Sequence, residues 1–414
     1  MMQSQLTLVQ LLERAGKLFS KVETVSRRPD SWIFYSKYAE FYRRARCLAA
    51  ALQKYGIRRG DRVATLMWNH RTYLEAYFGI PVVGGILHAL NLRSHPDELA
   101  YVVNDAQDRF LIVDDVLLPL FEKIKDRVKF DHVLVVPFSG CRTVPHDYDD
   151  YEQLMQPSSG TCEYAELSED EPAAMCYTAR TAGPPKAVVY SHRALALHAC
   201  SISLPDHLSI SRTDTILPVT SMFQANGWGM PLAAVLNGSK LVFPGSNLQP
   251  DQLLDLLSSE CVTLTGAGPA VWLGVIDALE KQPERWPLAS GLRIVVAGAV
   301  CPASLFRRFD KFGVQVIQAW GMTETTPIGA VSRLKLDLAS LSEDDRYEIN
   351  ALQGLTVPFV ETRAMNESEE APWRAATSGE VDRADIQLGR KVAFADCVPG
   401  MDFLQRSARY SRLE

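Results

Sequence analysis

The sequence lacks the features that mark several classes of protein. Its formal net charge is −6 over 414 residues, and Lys and Arg are interspersed with Asp and Glu rather than clustered. Nucleic-acid binding depends on a basic surface, so we expect no nucleic-acid partner. The eight cysteines are scattered, with no CxxC pair. A disulfide framework is therefore not indicated, and reduced thiols in the cytoplasm are expected.

Motifs of common hydrolases are also missing, since there is no HExxH, no His/Cys cluster and no GxSxG elbow. The most apolar stretch, 76–92, contains glycines, a proline and His88 and barely reaches spanning length. It predicts a buried helix that leads into a strand, and no transmembrane segment. The N-terminal residues fit a surface helix better than a signal peptide.

The patterning of apolar residues predicts an α/β fold. Nearly half of the residues are hydrophobic (47%), and short β-branched runs alternate with longer amphipathic segments, which is typical of parallel sheets. The predicted strands are 62–67, 110–113, 132–137, 173–177, 240–243, 293–296 and 314–318. The predicted helices include 38–55, 116–126, 251–260 and 303–312.

Changes in periodicity suggest the organisation of the chain. Residues 141–171 are weakly periodic and rich in Ser, Pro, Asp and Tyr, so we expect a soft subdomain boundary there. From about residue 350, short alternating runs predict a small β-rich part. We expect one large domain over 1–365 and an unassigned, disordered tail over 366–414.

The first chemical signal is AMCYTARTAGPPKAVVYSH over 174–192. A predicted strand ends at Tyr177, a loop with Gly183 and Lys186 follows, and a helix is expected to open near Ser191. In such a loop, backbone N–H groups, hydroxyls and one lysine can surround a triphosphate. Alone, the loop is equally compatible with a plain turn.

This loop resembles the YTSGTTGxPKG segment of the adenylate-forming superfamily, which includes acyl-CoA synthetases, luciferases and peptide-synthetase adenylation domains. The matching residues are Tyr177, Thr178, Thr181, Gly183, Pro185 and Lys186. The resemblance implies that the nucleotide contacts Thr178, Thr181, Gly183 and Lys186, and that Lys186 also takes part in catalysis.

Four loop positions depart from the family pattern: Ala179, Arg180, Ala182 and Ala187 replace serine, glycine, threonine and glycine. Glycine accepts positive φ and lets the backbone approach phosphate, which arginine does not do without strain. Two lost hydroxyl hydrogen bonds, at roughly 1.5–3 kcal/mol each, would weaken phosphate binding on the order of 10²- to 10⁴-fold. A direct Arg180–phosphate contact would restore part of that, and the sequence leaves both outcomes open.

The segment LPVTSMFQANGWG, 217–229, resembles the PMFHxNxWG segment of fatty-acyl-CoA ligases. The family's histidine lies beside the acyl carboxylate, and Gln224 stands there instead, able to hydrogen-bond but not to carry a positive charge. The resemblance implies substrate contacts from Gln224 and Trp228. The alternative is a turn that places Phe223 and Trp228 in the core.

Two glycine-containing segments resemble further parts of the family's site. GAGPAVWL, 266–273, is similar to the acyl-pocket segment and lacks the third glycine of a dinucleotide fingerprint. It implies substrate contacts from Gly266, Gly268 and Trp272. VVAGAVCP, 295–302, is similar to the adenine-side loop, which implies that Gly298 lies against the nucleotide.

The strongest single match is QAWGMTETTP, 318–327. The resemblance implies that Thr323 contacts phosphate, that Glu324 holds Mg²⁺, and that Trp320 and Gly321 lie against the nucleotide. Thr323 and Glu324 would act in catalysis. Mg²⁺ commonly takes one or two protein carboxylates together with phosphate and water. A capped turn after a buried strand is the alternative explanation.

The later family motifs have no counterpart beyond Gly379-Glu380. No ribose-binding aspartate, hinge or small-domain lysine can be assigned over 381–414, so we expect the family's C-terminal small domain to be absent, through truncation or a shifted reading frame. The resemblance implies two αβ subdomains packed in αβαβα layers plus a small β-rich part, and homodimerisation through this domain.

Two functions follow from these matches. The first is an AMP-dependent acyl-CoA synthetase that uses ATP, Mg²⁺ and CoA to convert a fatty acid to acyl-AMP and then acyl-CoA. Its turnover would be impaired by the altered loop, and CoA use in particular depends on the missing domain. The second is an inactive protein that keeps the fold as an acyl- or nucleotide-binding scaffold.

Overall fold

The computed structural model describes residues 4–141, 143–156, 162–178, 184–335, 338, 340–360 and four two-residue strands beyond them. The chain forms two compact units. Unit 1 comprises Met1–Ala199 and Ser211–Leu248, and unit 2 comprises Cys200–Ile210 and Gln249–Glu414. The soft boundary predicted over 141–171 falls within unit 1.

Unit 1 contains the first eleven strands and the first eight helices. Its strands are β1 Glu23–Arg27, β2 Ile33–Lys37, β3 Arg62–Leu66, β4 Ile86–Ala89, β5 Phe110–Asp114, β6 His132–Val136, β7 Asp149–Asp150, β8 Pro172–Tyr177, β9 Ala187–Ser191, β10 Thr215–Pro218 and β11 Lys240–Phe243. Its helices are α1 Leu8–Leu18, α2 Tyr38–Lys54, α3 Arg71–Gly79, α4 Pro96–Ala106, α5 Leu118–Phe121, α6 Tyr151–Leu154, α7 His192–Ile202, whose last residues belong to unit 2, and α8 Met230–Asn237.

A seven-stranded sheet in unit 1 has the order β7-β6-β5-β3-β4-β8-β9. All of its pairs are parallel except β8–β9, which is an antiparallel hairpin. Every residue of β5 is buried, as expected for a central strand covered on both faces. A second group of strands has the order β10-β11-β1-β2, and only β1–β2 is antiparallel.

Unit 2 contains four helices and the remaining strands. They are α9 Pro250–Ser259, β12 Leu264–Ala267, α10 Pro269–Lys281, β13 Arg293–Val296, α11 Ala303–Asp310, β14 Gln315–Gly321, β15 Ile328–Val331, α12 Glu343–Asn350 and β16 Leu355–Thr356, followed by β17 Met365–Asn366, β18 Glu369–Glu370, β19 Ile386–Gln387 and β20 Val392–Ala393. Strands β12, β13 and β14 run parallel, whereas β15 and β16 continue the sheet antiparallel.

The predicted α/β class with parallel-containing sheets is confirmed. All seven predicted strands are present, and the apolar stretch 76–92 does run from a helix into β4. The helix predicted over 116–126 is wrong, because short helical pieces stand there instead of one continuous helix. Pro119 explains the interruption, since it lacks an N–H group and is tolerated only in the first turn of a helix. Within the described residues, no helix is both long and apolar enough to span a bilayer.

Candidate active site

The stem of the predicted phosphate loop is the β8–β9 hairpin, in which Tyr177 pairs with Ala187. The Thr178 N–H donates to the Lys186 carbonyl oxygen at 3.0 Å, and the Lys186 N–H donates to Thr178 Oγ1 at 3.3 Å. Thr178 is buried and Lys186 is exposed. The hairpin therefore fixes the two ends of the loop and leaves the lysine side chain accessible.

Part of this loop, 179–183, lies outside the described residues. The predicted contacts of Thr181 and Gly183, and the effect of Arg180, are therefore predictions that rest on the sequence. The predicted helix near Ser191 does begin at His192, after the short strand β9.

The stem is anchored to the sheet through Tyr177. Its hydroxyl donates to Asp105 Oδ2 at 2.6 Å, and its ring lies 5.1 Å from the His88 ring. His88 Nδ1 in turn lies 2.7 Å from Asp108 Oδ2. Burial raises the pKa of Asp108, and the adjacent His88 opposes that rise. These contacts hold the strand that leads into the phosphate loop.

The segment that resembles the fatty-acyl ligase motif forms a left-handed turn at residues 225–229. Ala225, Asn226, Gly227, Trp228 and Gly229 all have positive φ, from 43° to 73°. Left-handed helical backbone costs roughly 1–2 kcal/mol for each L-residue with a side chain. Such strain persists only where surrounding contacts enforce it, and it clusters at functional sites.

Of the two predicted substrate residues in this segment, Gln224 directly precedes this turn and Trp228 lies within it. Gln224 is exposed and Trp228 is half-buried, whereas Phe223 is buried. The alternative that placed both aromatic rings in the core therefore fits Phe223 better than Trp228. The backbone of this segment also contacts the phosphate-loop strand, because the N–H groups of Asn226 and Ala225 reach the Cys176 thiol. Burial raises the pKa of that thiol to about 12, and the two N–H groups act in the opposite direction.

In unit 2, three parallel strands end at one edge of the sheet. The register pairs Ala267 with Val296, and Val296 with Gln318. Gly268 directly follows β12 and Gly298 lies two residues beyond the end of β13, and Gly298 has φ +83°, a conformation that glycine adopts without strain. Gly266 lies within β12 and is buried. The carboxyl ends of parallel strands are the usual position of ligands in α/β sheets.

Trp272, predicted to contact substrate, is fully buried in α10. Its Nε1–H donates to the Ala267 carbonyl oxygen at 3.0 Å and lies 3.2 Å from the Val295 carbonyl oxygen. Its ring packs edge-on against Phe309 at 6.3 Å. The side chain thus ties the ends of β12 and β13 together, and in this structure it offers no exposed surface to a ligand.

The end of β14 is shaped by close packing. A Cβ atom at Gly321 would overlap the carbonyl oxygen of Pro327, and one at Gly329 would lie 2.9 Å from the Trp320 ring. Trp320, Thr323 and Glu324 are all half-buried. Glycine at these two positions therefore lets the chain fold back tightly beside Trp320.

Glu324 fits the role of a magnesium ligand. Among the residues that the structure describes, its carboxylate makes no hydrogen bond or ion pair. The same residues contain no group of three or more His, Cys, Asp or Glu side chains that could hold a metal by themselves. A single available carboxylate suits Mg²⁺ that arrives with a nucleotide, since phosphate and water complete its coordination.

A cavity of about 540 Å³ in unit 1 is lined by Arg71, Asp150 and Glu152, among others, and by none of the predicted site residues. Glu152 is paired bidentately with Arg44, and Asp150 caps α6. Arg71 lies 3.2 Å from a Glu40 oxygen. Because these charged groups already have partners within the protein, we do not take this cavity as the active site.

Sequence reasoning missed the residues that hold the turn. Asn69, Tyr77 and His198 contact the backbone of residues 218–228, which lead into the turn and form most of it, from distant parts of the chain. Their separations from these backbone partners, 30 to 153 residues, carry no local pattern. Only the three-dimensional structure shows these contacts.

The chain is similar to known proteins over most of its length. The pattern of AMP-binding enzymes matches residues 22–382. The chain is 41% identical to a long-chain-fatty-acid–CoA ligase from Thermus thermophilus, over 92% of this chain and 69% of that protein. It is 36% identical to a medium-chain-fatty-acid–CoA ligase from Ectopseudomonas oleovorans, over 89% and 68%.

Two solved structures share the fold. The anthranilate CoA ligase AuaEII in complex with anthranoyl-AMP has a TM-score of 0.79 at 21% identity, covering 90% of this chain and 69% of that one. The N-terminal domain of FACL13 from Mycobacterium tuberculosis has a TM-score of 0.74 at 20% identity, covering 89% and 86%. The resemblance recognised in the motifs is confirmed: this chain belongs to the AMP-binding enzyme family.

Proposed function

We propose that this chain is an acyl-CoA ligase that activates a fatty acid with Mg-ATP. The observation that carries the proposal is the half-buried Glu324 carboxylate, which has no partner among the described residues and follows a parallel strand within the QAWGMTETTP segment. Relatives named as fatty-acid–CoA ligases support the substrate class. The reaction is attack of a carboxylate oxygen on the α-phosphorus of ATP, which forms acyl-AMP and releases pyrophosphate.

Each proposed residue has a separate task in this step. Lys186 would donate to phosphate oxygens and stabilise the charge that develops on them. Thr323 would donate a hydroxyl hydrogen bond to phosphate, and Glu324 would hold Mg²⁺. The magnesium ion, when bound, would neutralise phosphate charge. Trp320, Gly321 and Gly298 would border the nucleotide, with Thr178, Thr181 and Gly183 around the phosphates.

Three of the matched segments supply the residues proposed for the acid. Gln224 and Trp228 would face the acid beside the left-handed turn, and Gly266 and Gly268 would leave room for its chain. Trp272 would act indirectly, because its indole N–H fixes the end of β12. Transfer of the acyl group to CoA sulfur, the limits of the domain over 1–365, homodimerisation and a cytoplasmic location remain parts of this proposal.

A second function, an inactive acyl- or nucleotide-binding scaffold, is favoured by one observation. Ala179, Arg180, Ala182 and Ala187 replace the family's phosphate-loop residues. A protein of this kind would bind a nucleotide or an acyl-adenylate without forming one.

Acid-dependent ATP–pyrophosphate exchange tests the first function against the second. We expect exchange that depends on the acid, with a maximum within a series of increasing chain length. Glu324→Gln should reduce it at least about tenfold by removing a magnesium ligand, whereas Glu348→Gln, the same change at an exposed site in unit 2, should not. Absence of exchange despite saturable acyl-adenylate binding would establish the scaffold instead.

A further inference from the structure

The backbone of the acyl-facing segment is held by one buried side chain, Asn69. Its Nδ2 donates to the carbonyl oxygens of Pro218 at 2.8 Å and Thr220 at 2.9 Å. Its Oδ1 accepts the Met222 N–H at 2.7 Å. Asn69 is 4% exposed, so both amide protons and the oxygen are used on this single stretch of chain.

The backbone at Asn69 and its two neighbouring residues are themselves held by further contacts. Its carbonyl oxygen accepts the Gly245 N–H at 3.1 Å. On either side of it, the Trp68 N–H donates to Asp114 Oδ2 and His70 Nε2 lies against Asp114 Oδ1, both at 2.8 Å. Because Asp114 is fully buried at the end of β5, the position of Asn69 is tied to the centre of the seven-stranded sheet.

Tyr77 and His198 hold the following residues. The Tyr77 hydroxyl donates to the Met222 carbonyl oxygen at 2.6 Å and lies 3.2 Å from Asn226 Oδ1. His198 Nε2 lies 3.3 Å from the Trp228 carbonyl oxygen. These contacts enclose the left-handed turn at its start, middle and end, which is what maintaining several strained residues requires.

The turn also contains a polar group with no hydrogen-bond partner in the described part of the chain. Asn226 is 1% exposed, and among the described residues its Nδ2 has no hydrogen-bond partner. A buried donor of this kind is costly unless water or a ligand satisfies it. The turn is therefore strained, enclosed and incompletely satisfied, features that purely structural turns avoid.

We propose that Asn69 and Tyr77 are positioning residues that set which acids the enzyme accepts, by fixing the left-handed turn that presents Gln224 and Trp228. This inference rests on the proposed function. Neither residue touches substrate; each acts through the backbone of 218–228. Small displacements of positioned groups change rates strongly, since a shift of about 1 Å can cost on the order of 100-fold.

Tyr77→Phe is the sharpest test, because it removes one hydroxyl and no volume. The matched control is Tyr38→Phe, which removes a hydroxyl of the same kind. Tyr38 is equally buried in unit 1, and it donates to the Ser239 carbonyl oxygen at 2.7 Å, outside the turn. Both variants should lose similar stability, so a purely structural effect would appear in both.

The measurement is pyrophosphate exchange with the preferred acid and with an acid four carbons shorter. We expect Tyr77→Phe to lower the preference between them about tenfold through a higher KM for the preferred acid, with the KM for ATP unchanged. Tyr38→Phe should keep the wild-type preference. Asn69→Asp removes both amide N–H donors. It should lower the preference for the preferred acid by more than Tyr77→Phe does.

The outcomes separate this inference from the proposed function. A wild-type protein that shows no acid-dependent exchange and binds no acyl-adenylate overturns both. An active wild type with Tyr77→Phe indistinguishable from Tyr38→Phe overturns the positioning role alone and leaves the ligase intact. If Asn69→Asp does not fold, the Tyr77→Phe comparison still decides.

Discussion

Two regions that carry proposed site residues, one in each unit, are built in different ways. In unit 1, the left-handed turn is held by buried side chains that reach it across much of the chain. In unit 2, the end of β14 is shaped by its own neighbours, since Gly321 and Gly329 allow a close return of the chain beside Trp320. The turn in unit 1 thus depends on hydrogen bonds from residues far along the chain, and the end of β14 depends on local packing. The two regions should therefore lose stability in different ways when they are altered.

Substitutions at the end of β14 should give the largest loss of stability. Gly321→Ala places a Cβ atom against the Pro327 carbonyl, and because backbone must move, we expect a loss of about 3–5 kcal/mol in the free energy of unfolding. At Gly268 the nearest atom to an added Cβ is the Ala297 oxygen, at 3.8 Å. Gly268→Ala should therefore lower the free energy of unfolding by less than about 1 kcal/mol. Urea unfolding of the two variants measures both losses. Equal losses of stability in the two variants would show that close packing does not determine the stability of this edge of the sheet.

The stability of the turn region in unit 1 should depend on its polar contacts rather than on added volume. Asn69→Leu has a similar size but leaves two carbonyl oxygens and one N–H without their partner. We expect a loss of about 3 kcal/mol, from roughly 1–3 kcal/mol for each unsatisfied buried group with partial relaxation. Urea unfolding measures it. A loss below about 1 kcal/mol would mean that Asn69 does not hold the turn.

Acid should affect unit 1 through His192 and His198, both of which lie in its α7 segment. Burial lowers the pKa of each to about 4, from about 6.5 in an unfolded chain. Below pH 6.5 the unfolded chain therefore takes up protons first, and stability falls until about pH 4. At pH 5 each histidine should cost about 2 kcal/mol.

His198→Gln isolates one of these contributions. Glutamine can still donate to the Trp228 carbonyl but does not titrate, so the difference in unfolding free energy between pH 7 and pH 5 should shrink by about 2 kcal/mol. His95→Gln, at an exposed side chain, serves as the control. An unchanged pH dependence in His198→Gln would contradict the buried, neutral histidine.

The smallest expected effects on stability belong to the residues proposed to bind the nucleotide. Lys186 is exposed, and the Glu324 carboxylate has no partner within the described residues. Lys186→Gln and Glu324→Gln should each change the unfolding free energy by less than about 0.5 kcal/mol, similar to Lys123→Gln at an exposed position. A large loss of stability would assign them structural roles.

The same contrast explains how far sequence reasoning reached. The strand that ends at Tyr177, the parallel strands of unit 2 and the segment around Glu324 were all predictable, because short-range patterns of apolar residues and compact motifs encode them. The broken helix at Pro119 was missed although proline gives a local signal. Asn69, Tyr77 and His198 were beyond reach, because their partners are defined by tertiary structure alone. The buried position of Trp272 likewise depends on how α10 packs on its sheet.

The central claim is that Lys186 and Glu324 both take part in binding Mg-ATP. Calorimetric titration of Mg-ATP into the wild type, Lys186→Gln, Glu324→Gln and the double variant tests it most directly. We predict saturable binding that each single change weakens about tenfold or more, and a double variant that loses less than the sum of the two, as expected for groups that share a ligand. No saturable binding by the wild type, or two variants that bind as the wild type does, would contradict the account.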